Sequence, residues 1–153
     1  MYKKSIILIV FFIMLNNCGY APLYKGSNSK FSIEIMKQVG NRDINNLLSS
    51  NLKRFSNKSK ETKKNYEIMI NSLYAKNIIA KDAKGKSTDY QLKIDIKFKI
   101  NIEGKSKIIN FTETFNMKGQ NNNFEEKEYE TIIKKNMVNT IVQKLILQLN
   151  TIK

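Results

Sequence analysis

From Tyr90 to Ile102 the chain alternates without a break. Tyr90, Leu92, Ile94, Ile96, Phe98, Ile100 and Ile102 fall on one side, and Gln91, Lys93, Asp95, Lys97, Lys99 and Asn101 on the other. A period of two held this long predicts a strand with one buried face and one wet face, and leaves little room for a helix. Shorter alternations recur elsewhere. Phe31, Ile33 and Ile35 predict a first strand, which Gly40 and Asn41 close. Tyr66, Ile68, Ile70 and Tyr74 predict a second, running on toward Ile79. Ile109, Phe111, Phe115 and Met117 predict a fourth, with Glu113 out of pattern. Residues 81–86 form a turn with Gly85 free to take positive φ, and Gly104 marks a tight hairpin turn.

Two segments switch to helical spacing. Ile44, Leu47, Leu48, Leu52 and Phe55 predict an amphipathic helix over residues 42–56, followed by a polar loop over 57–64. Tyr129, Ile132, Ile133, Met137, Ile141, Leu145, Leu149 and Ile152 form a long stripe, widened by Val138, Val142 and Ile146. Asn123 is placed to cap that helix with Glu126 reaching back, as in a capping box, and Glu125, Glu126 and Glu128 suit the positive end of its dipole.

The element order is β-α-β-β-β-α. Gly104 leaves no room for a crossover, so strands three and four must be a hairpin; strands two and three are expected to be another. The predicted class is α+β: a four-stranded, largely antiparallel sheet with two helices packed on one face. Lys93, Lys97 and Lys99 then project from the other face. Lys81, Lys84 and Lys86 lie in the adjoining turn, and Lys105 and Lys107 flank the next one.

The N-terminus has a different pattern. Lys3 and Lys4 precede an apolar run from Ile6 to Leu15, and Asn16-Asn17-Cys18-Gly19 follows. The run is about half the length needed to cross a bilayer, and its flanks match an export signal. Leu15 stands three before the cysteine, as in a lipobox, although Asn17 occupies a place where a small residue is usual. The expectation is a lipoprotein signal peptide over residues 1–17, with Cys18 acylated at the mature N-terminus. Two acyl chains or more give stable membrane attachment. Residues 18–30 read as a polar tether that holds the only proline, Pro22, and residues 31–153 as a single α/β domain.

Export changes the meaning of the charge. The chain carries 27 Lys+Arg against 13 Asp+Glu, a net charge of +14, or +12 (14 − 2) without Lys3 and Lys4. Such a balance fits nucleic acid in the cytosol, but the chain shows no nucleic-acid motif, and outside the cytosol anionic lipid headgroups or an acidic protein are the better match. Catalytic equipment is sparse. There is no histidine, and Cys18 is the only cysteine. That removes most zinc sites, thiol catalysis and serine–histidine dyads. No metal, cofactor or enzymatic activity is expected.

The segment Cys18-Gly19-Tyr20-Ala21-Pro22-Leu23-Tyr24 resembles the Cys-Gly-Phe-x-Pro-Leu-Tyr start of alphaproteobacterial LptE lipoproteins, which act in lipopolysaccharide assembly at the outer membrane. The predicted element order is also similar to that family's fold. The resemblance implies a lipid-anchored outer-membrane protein facing the periplasm, seated as a plug in the lumen of the large export barrel LptD. It also implies help in folding that barrel, with lipopolysaccharide as a candidate ligand. On this reading Lys81, Lys84, Lys86, Lys93, Lys97 and Lys99 are candidate contacts for lipid A phosphates, though lysines so placed also serve simply to discourage sheet aggregation. Tyr20, Pro22, Leu23 and Tyr24 are candidate contacts with the barrel wall, or pack on the domain itself. The alternative is an accessory lipoprotein of another outer-membrane machine, for β-barrel assembly or lipid transport.

Overall fold

A computed structural model describes residues 31–56, 64–120 and 122–152. Its elements are β1 (Phe31–Gly40), α1 (Arg42–Leu52), a short 3-10 turn (Lys53–Phe55), β2 (Lys64–Lys81), β3 (Ser87–Ile102), β4 (Lys105–Lys118) and α2 (Asn123–Thr151). The order and the α+β class are those the periodicity predicts. The signal segment, Cys18 and the tether with Tyr20, Pro22, Leu23 and Tyr24 lie outside the described residues.

The sheet order is β1-β2-β3-β4. β1 runs parallel to β2, with Ile33 beside Tyr66 and Ile35 beside Ile68. The other two pairings are antiparallel hairpins, with Ile70 opposite Phe98 and Phe98 opposite Ile109. The connection through α1 is long enough for β2 to return parallel to β1, whereas the tight turns around Gly85 and Gly104, both at positive φ, allow only antiparallel neighbours.

One layer of side chains makes the core. Tyr66, Ile68, Ile70, Leu92, Ile94, Ile96, Phe98 and Ile100 point inward from the two central strands and are buried. Ile44, Leu48 and Leu52 of α1 cover them, with Val138, Ile141, Val142, Leu145, Ile146 and Leu149 of α2. Phe31 stacks on Phe55 at 6.2 Å and meets the edge of Tyr66 at 5.4 Å, closing the core at the start of β1. The opposite sheet face has no helix on it among the described residues.

β1 stops well short of its neighbour. Gly40 takes φ +100°, and a Cβ there would sit 1.9 Å from the Ser72 carbonyl oxygen. Only glycine permits that approach, and it turns the chain directly into α1. Asn41 caps α1, its side chain accepting from the Ile44 N–H at 3.1 Å. The corner is tied by buried polar groups: Ser72 Oγ donates to Asn45 Oδ1 at 2.8 Å, and Asn45 Nδ2 donates to the Val39 carbonyl at 3.3 Å.

Two sequence expectations need correction. The cap of α2 is Asn122, not Asn123; its side chain accepts from the Glu125 N–H at 2.8 Å. Glu126, expected to reach back in a capping box, instead bonds Lys76 at 2.6 Å. The first turns of α2 also overhang the core. Tyr129 and Ile132 of the predicted stripe are exposed, as is Phe115, which points inward from the sheet's edge strand but is not covered.

Candidate functional site

The candidate lysines fall into two places, set by strand geometry. Lys93, Lys97 and Lys99 project from the open face of β3, opposite Ala75, Asn71 and Met69 of β2. Lys81, Lys84 and Lys86 surround the β2–β3 turn and are exposed. At about 3.3 Å per residue, Lys99 lies roughly 40 Å along the strand from Lys86. The six are therefore not one cluster. Lys105 and Lys107 are at the far end of the sheet, flanking the β3–β4 turn, and their register places them on the helix-bearing side, beside Ile102 and Ile100.

The turn is ordered by its own aspartate. Asp82 Oδ1 accepts from the N–H groups of Lys84 and Lys86, both at 2.9 Å, and the Lys86 carbonyl accepts from the Asp82 N–H at 2.9 Å. The side chains of Lys81, Lys84 and Lys86 form no ion pair with any described residue, while Asp82 is spent on backbone. The tip therefore presents concentrated positive charge. Ile78 and Ile79 beside it are about half exposed.

The open face is mixed. Lys93 pairs with Asp95 at 3.0 Å, and Thr112 Oγ1 donates to Asp95 at 2.6 Å. The Thr112 hydroxyl, and then Lys93, hold the Asp95 carboxyl below its ordinary range. Lys97 and Lys99 have no carboxylate partner among the described residues. Beside them stand exposed Met69 and Leu73 on β2 and Val39 on β1. Cations at the margin of aliphatic side chains can hold a phosphate-bearing amphiphile or a mixed protein wall.

One cluster escaped the sequence reading. On the helix-bearing side, Lys76 Nζ lies 2.6 Å from Glu126 and 3.0 Å from Glu130, and Lys134 Nζ lies 2.6 Å from Glu130. Tyr74 Oη donates to Glu130 Oε1 at 2.7 Å. Lys76 also sits over the Tyr90 ring and Lys134 over the Tyr74 ring, each at 4.2 Å. Burial by itself would raise the Glu130 pKa, but the hydrogen bonds from Lys134, Tyr74 and Lys76 prevail and hold it at about 2. Burial, and then the bond to Glu130, push the Tyr74 hydroxyl up. The charges balance, two cations against two anions, so this group clamps α2 to β2 and has no surplus for a ligand. Its signal was present in the sequence: Glu130 and Lys134 are i,i+4 on one helix, and Lys76 falls at an inward position of its strand.

Clefts flank the core among the described residues. One, of about 470 Å³, lies between β1 and α1 and is lined by Ile33, Ile35, Leu52, Glu34, Lys53 and serines 49 and 56. Another, of about 590 Å³, lies between β4 and the start of α2. Among the described residues no group of three acidic or sulfur ligands could hold a metal, and no helix is long and apolar enough to cross a membrane.

No family model matches the chain, and no curated protein does. Solved structures do. The chain is similar in fold to rare lipoprotein B from Shewanella oneidensis, with a TM-score of 0.51 at 8% identity, over 76% of this chain and 98% of that one. It is likewise similar to a chain from Caulobacter crescentus CB15 assigned as a lipoprotein, with a TM-score of 0.51 at 11% identity, over 78% of this chain and 88% of that one. At such identities the likeness is one of fold. The fold of this chain is thus one that lipoproteins use, over nearly the whole of the Shewanella domain.

Proposed function

We propose that this chain is an outer-membrane lipoprotein, acylated at Cys18, that plugs and helps assemble a large LptD-like lipopolysaccharide-export barrel. The observation that carries the reading is the conjunction of Cys18-Gly-Tyr-Ala-Pro-Leu-Tyr24, directly after a signal-like apolar run, with a β-α-β-β-β-α domain. The fold likeness to two lipoprotein structures supports the coarser half, a lipid-anchored domain. The role is non-enzymatic: the domain works by shape and charge, with Tyr20, Pro22, Leu23 and Tyr24 meeting the barrel wall. The lysines of the open face or of the hairpin tip meet lipid A phosphates.

Three experiments test this. Palmitate labelling should be present in the wild-type chain and vanish in Cys18→Ala; a wild-type chain that takes up no label removes the anchor. Purification from membranes should recover one large barrel that carries lipopolysaccharide. Recovery with a β-barrel assembly or lipid-transport machine instead would replace this reading with that of an accessory lipoprotein. Reversing Lys81, Lys84 and Lys86 to Glu, and separately Lys97 and Lys99, tells which lysine group meets lipopolysaccharide. Unchanged affinity in both would leave the lysines as solubilising charges.

A further inference from the structure

β2 is 18 residues long, but β1 is paired with it only as far as Ser72. From Leu73 onward no described residue fills the lane that β1 occupies in the sheet, because Gly40 diverts the chain into α1. The Asn41 N–H donates to the Ser72 carbonyl at 3.0 Å, so the backbone of Ser72 faces the β1 side. Backbone direction alternates along a strand, and the β2–β3 register is unbroken from Ser72 to Ile78. The N–H and C=O groups of Tyr74, Lys76 and Ile78 therefore all point into this lane. Those of Leu73, Ala75 and Asn77 point to β3. No described residue bonds the three lane-facing N–H groups.

We propose that this lane is a strand-addition site for an extended acidic segment of a partner protein, which would lie end to end with β1 and complete the fourth lane of the sheet. Main-chain bonds to Tyr74, Lys76 and Ile78 supply the pairing, as in other strand-addition complexes. Charge selects the partner. Arg42 stands at one end of the lane and Lys81, Lys84 and Lys86 at the other, none of them paired to a described carboxylate. A second copy of the chain would bring a like-charged tip against them. Exposed Leu73, Ile78 and Ile79 offer apolar contacts to alternate side chains of the added strand. The irregularity between Ile78 and Ala80 sets the limit of the site. The proposal does not depend on the chain occupying a barrel.

Amide hydrogen exchange on the purified chain tests it, with a short synthetic peptide alternating glutamate and valine as the probe and its lysine–valine counterpart as control. The acidic peptide should slow exchange at Tyr74, Lys76 and Ile78 by about tenfold or more, leaving Leu73, Ala75 and Asn77 as protected as before. Ile78→Pro deletes a lane-facing N–H while sparing the β3 ladder. It should retain protection at Ala75 and Asn77 and lose the peptide effect at Tyr74 and Lys76. Lys81→Glu, Lys84→Glu and Lys86→Glu together leave the backbone intact and should abolish the preference for the acidic peptide. No slowing with the acidic peptide, or equal slowing with the basic one, would overturn the proposal. So would peptide-free protection that rises with protein concentration, since the occupant would then be a second copy.

Discussion

The two ends of the sheet are held by different physics. At the β1 end four strands lie beneath both helices, and the contact is mainly apolar, Ile68, Ile70, Phe98 and Ile100 against Leu48, Leu145 and Leu149, with a few uncharged hydrogen bonds such as Tyr66 to the Leu149 carbonyl. Beyond Ser72 the described residues give the sheet three strands, and β2 meets α2 through Tyr74, Lys76, Glu126, Glu130 and Lys134. Apolar burial is indifferent to pH and direction. A charged, hydrogen-bonded contact fixes orientation and fails if one member is neutralised. The first end makes the fold; the second fixes where the overhanging start of α2 lies.

The sharpest way to break the comparison is at the apolar end. Phe98 is fully buried and meets the Phe111 ring edge-on at 6.0 Å. Phe98→Ala should cost about 3–5 kcal/mol in urea unfolding. The loss should be the same at pH 7 and pH 3, since no titrating group contributes. A pH-dependent loss would mean that the two ends are not separable.

Glu130→Gln is the matching change at the other end, with a smaller effect. An unfolded glutamate titrates near 4.5, and Glu130 in the fold near 2. The depressed value means that Glu130 stabilises the fold fully above pH 4.5 and loses that contribution as pH falls toward 2. At pH 7 the Gln variant should be less stable by roughly 2 kcal/mol. The gap to wild type should close between pH 4.5 and 2. Exchange should quicken first in the amides of residues 126–134. A gap that persists at pH 2 would assign the clamp to packing and not to charge.

The same division explains what the sequence disclosed. Strand β3 was legible because both faces declare themselves: seven inward apolar positions from Tyr90 to Ile102, with polar residues between. The hairpins followed from turn length, and the helices from their stripes. The cap of α2 was misplaced by one residue because Asn122 and Asn123 are chemically identical, and only backbone geometry tells which is outside the helix. The clamp was missed because Lys76 and Glu126 are 50 residues apart. The lane beyond β1 was missed for a related reason: alternation gives a strand's length, never its neighbour's. The candidate lysines were individually legible, but their separation into tip and face depends on where each falls along β2 and β3.

The smallest effect belongs to the open face. Lys97→Ala and Lys99→Ala, singly or together, should change stability by less than about 0.5 kcal/mol, since exposed charges without a partner contribute little. For Lys99→Ala the sign is expected to favour the variant slightly, because Lys37 and Lys99 flank Met69 on either side and repel one another across it. That repulsion is screened by salt, so any gain at low ionic strength should fade in high salt. A loss above 1 kcal/mol would mean that the lysines are engaged even in the isolated chain, and that the open face is covered in solution. Near-neutral stability combined with weakened partner or lipopolysaccharide binding would show instead that these lysines act in recognition and carry none of the fold.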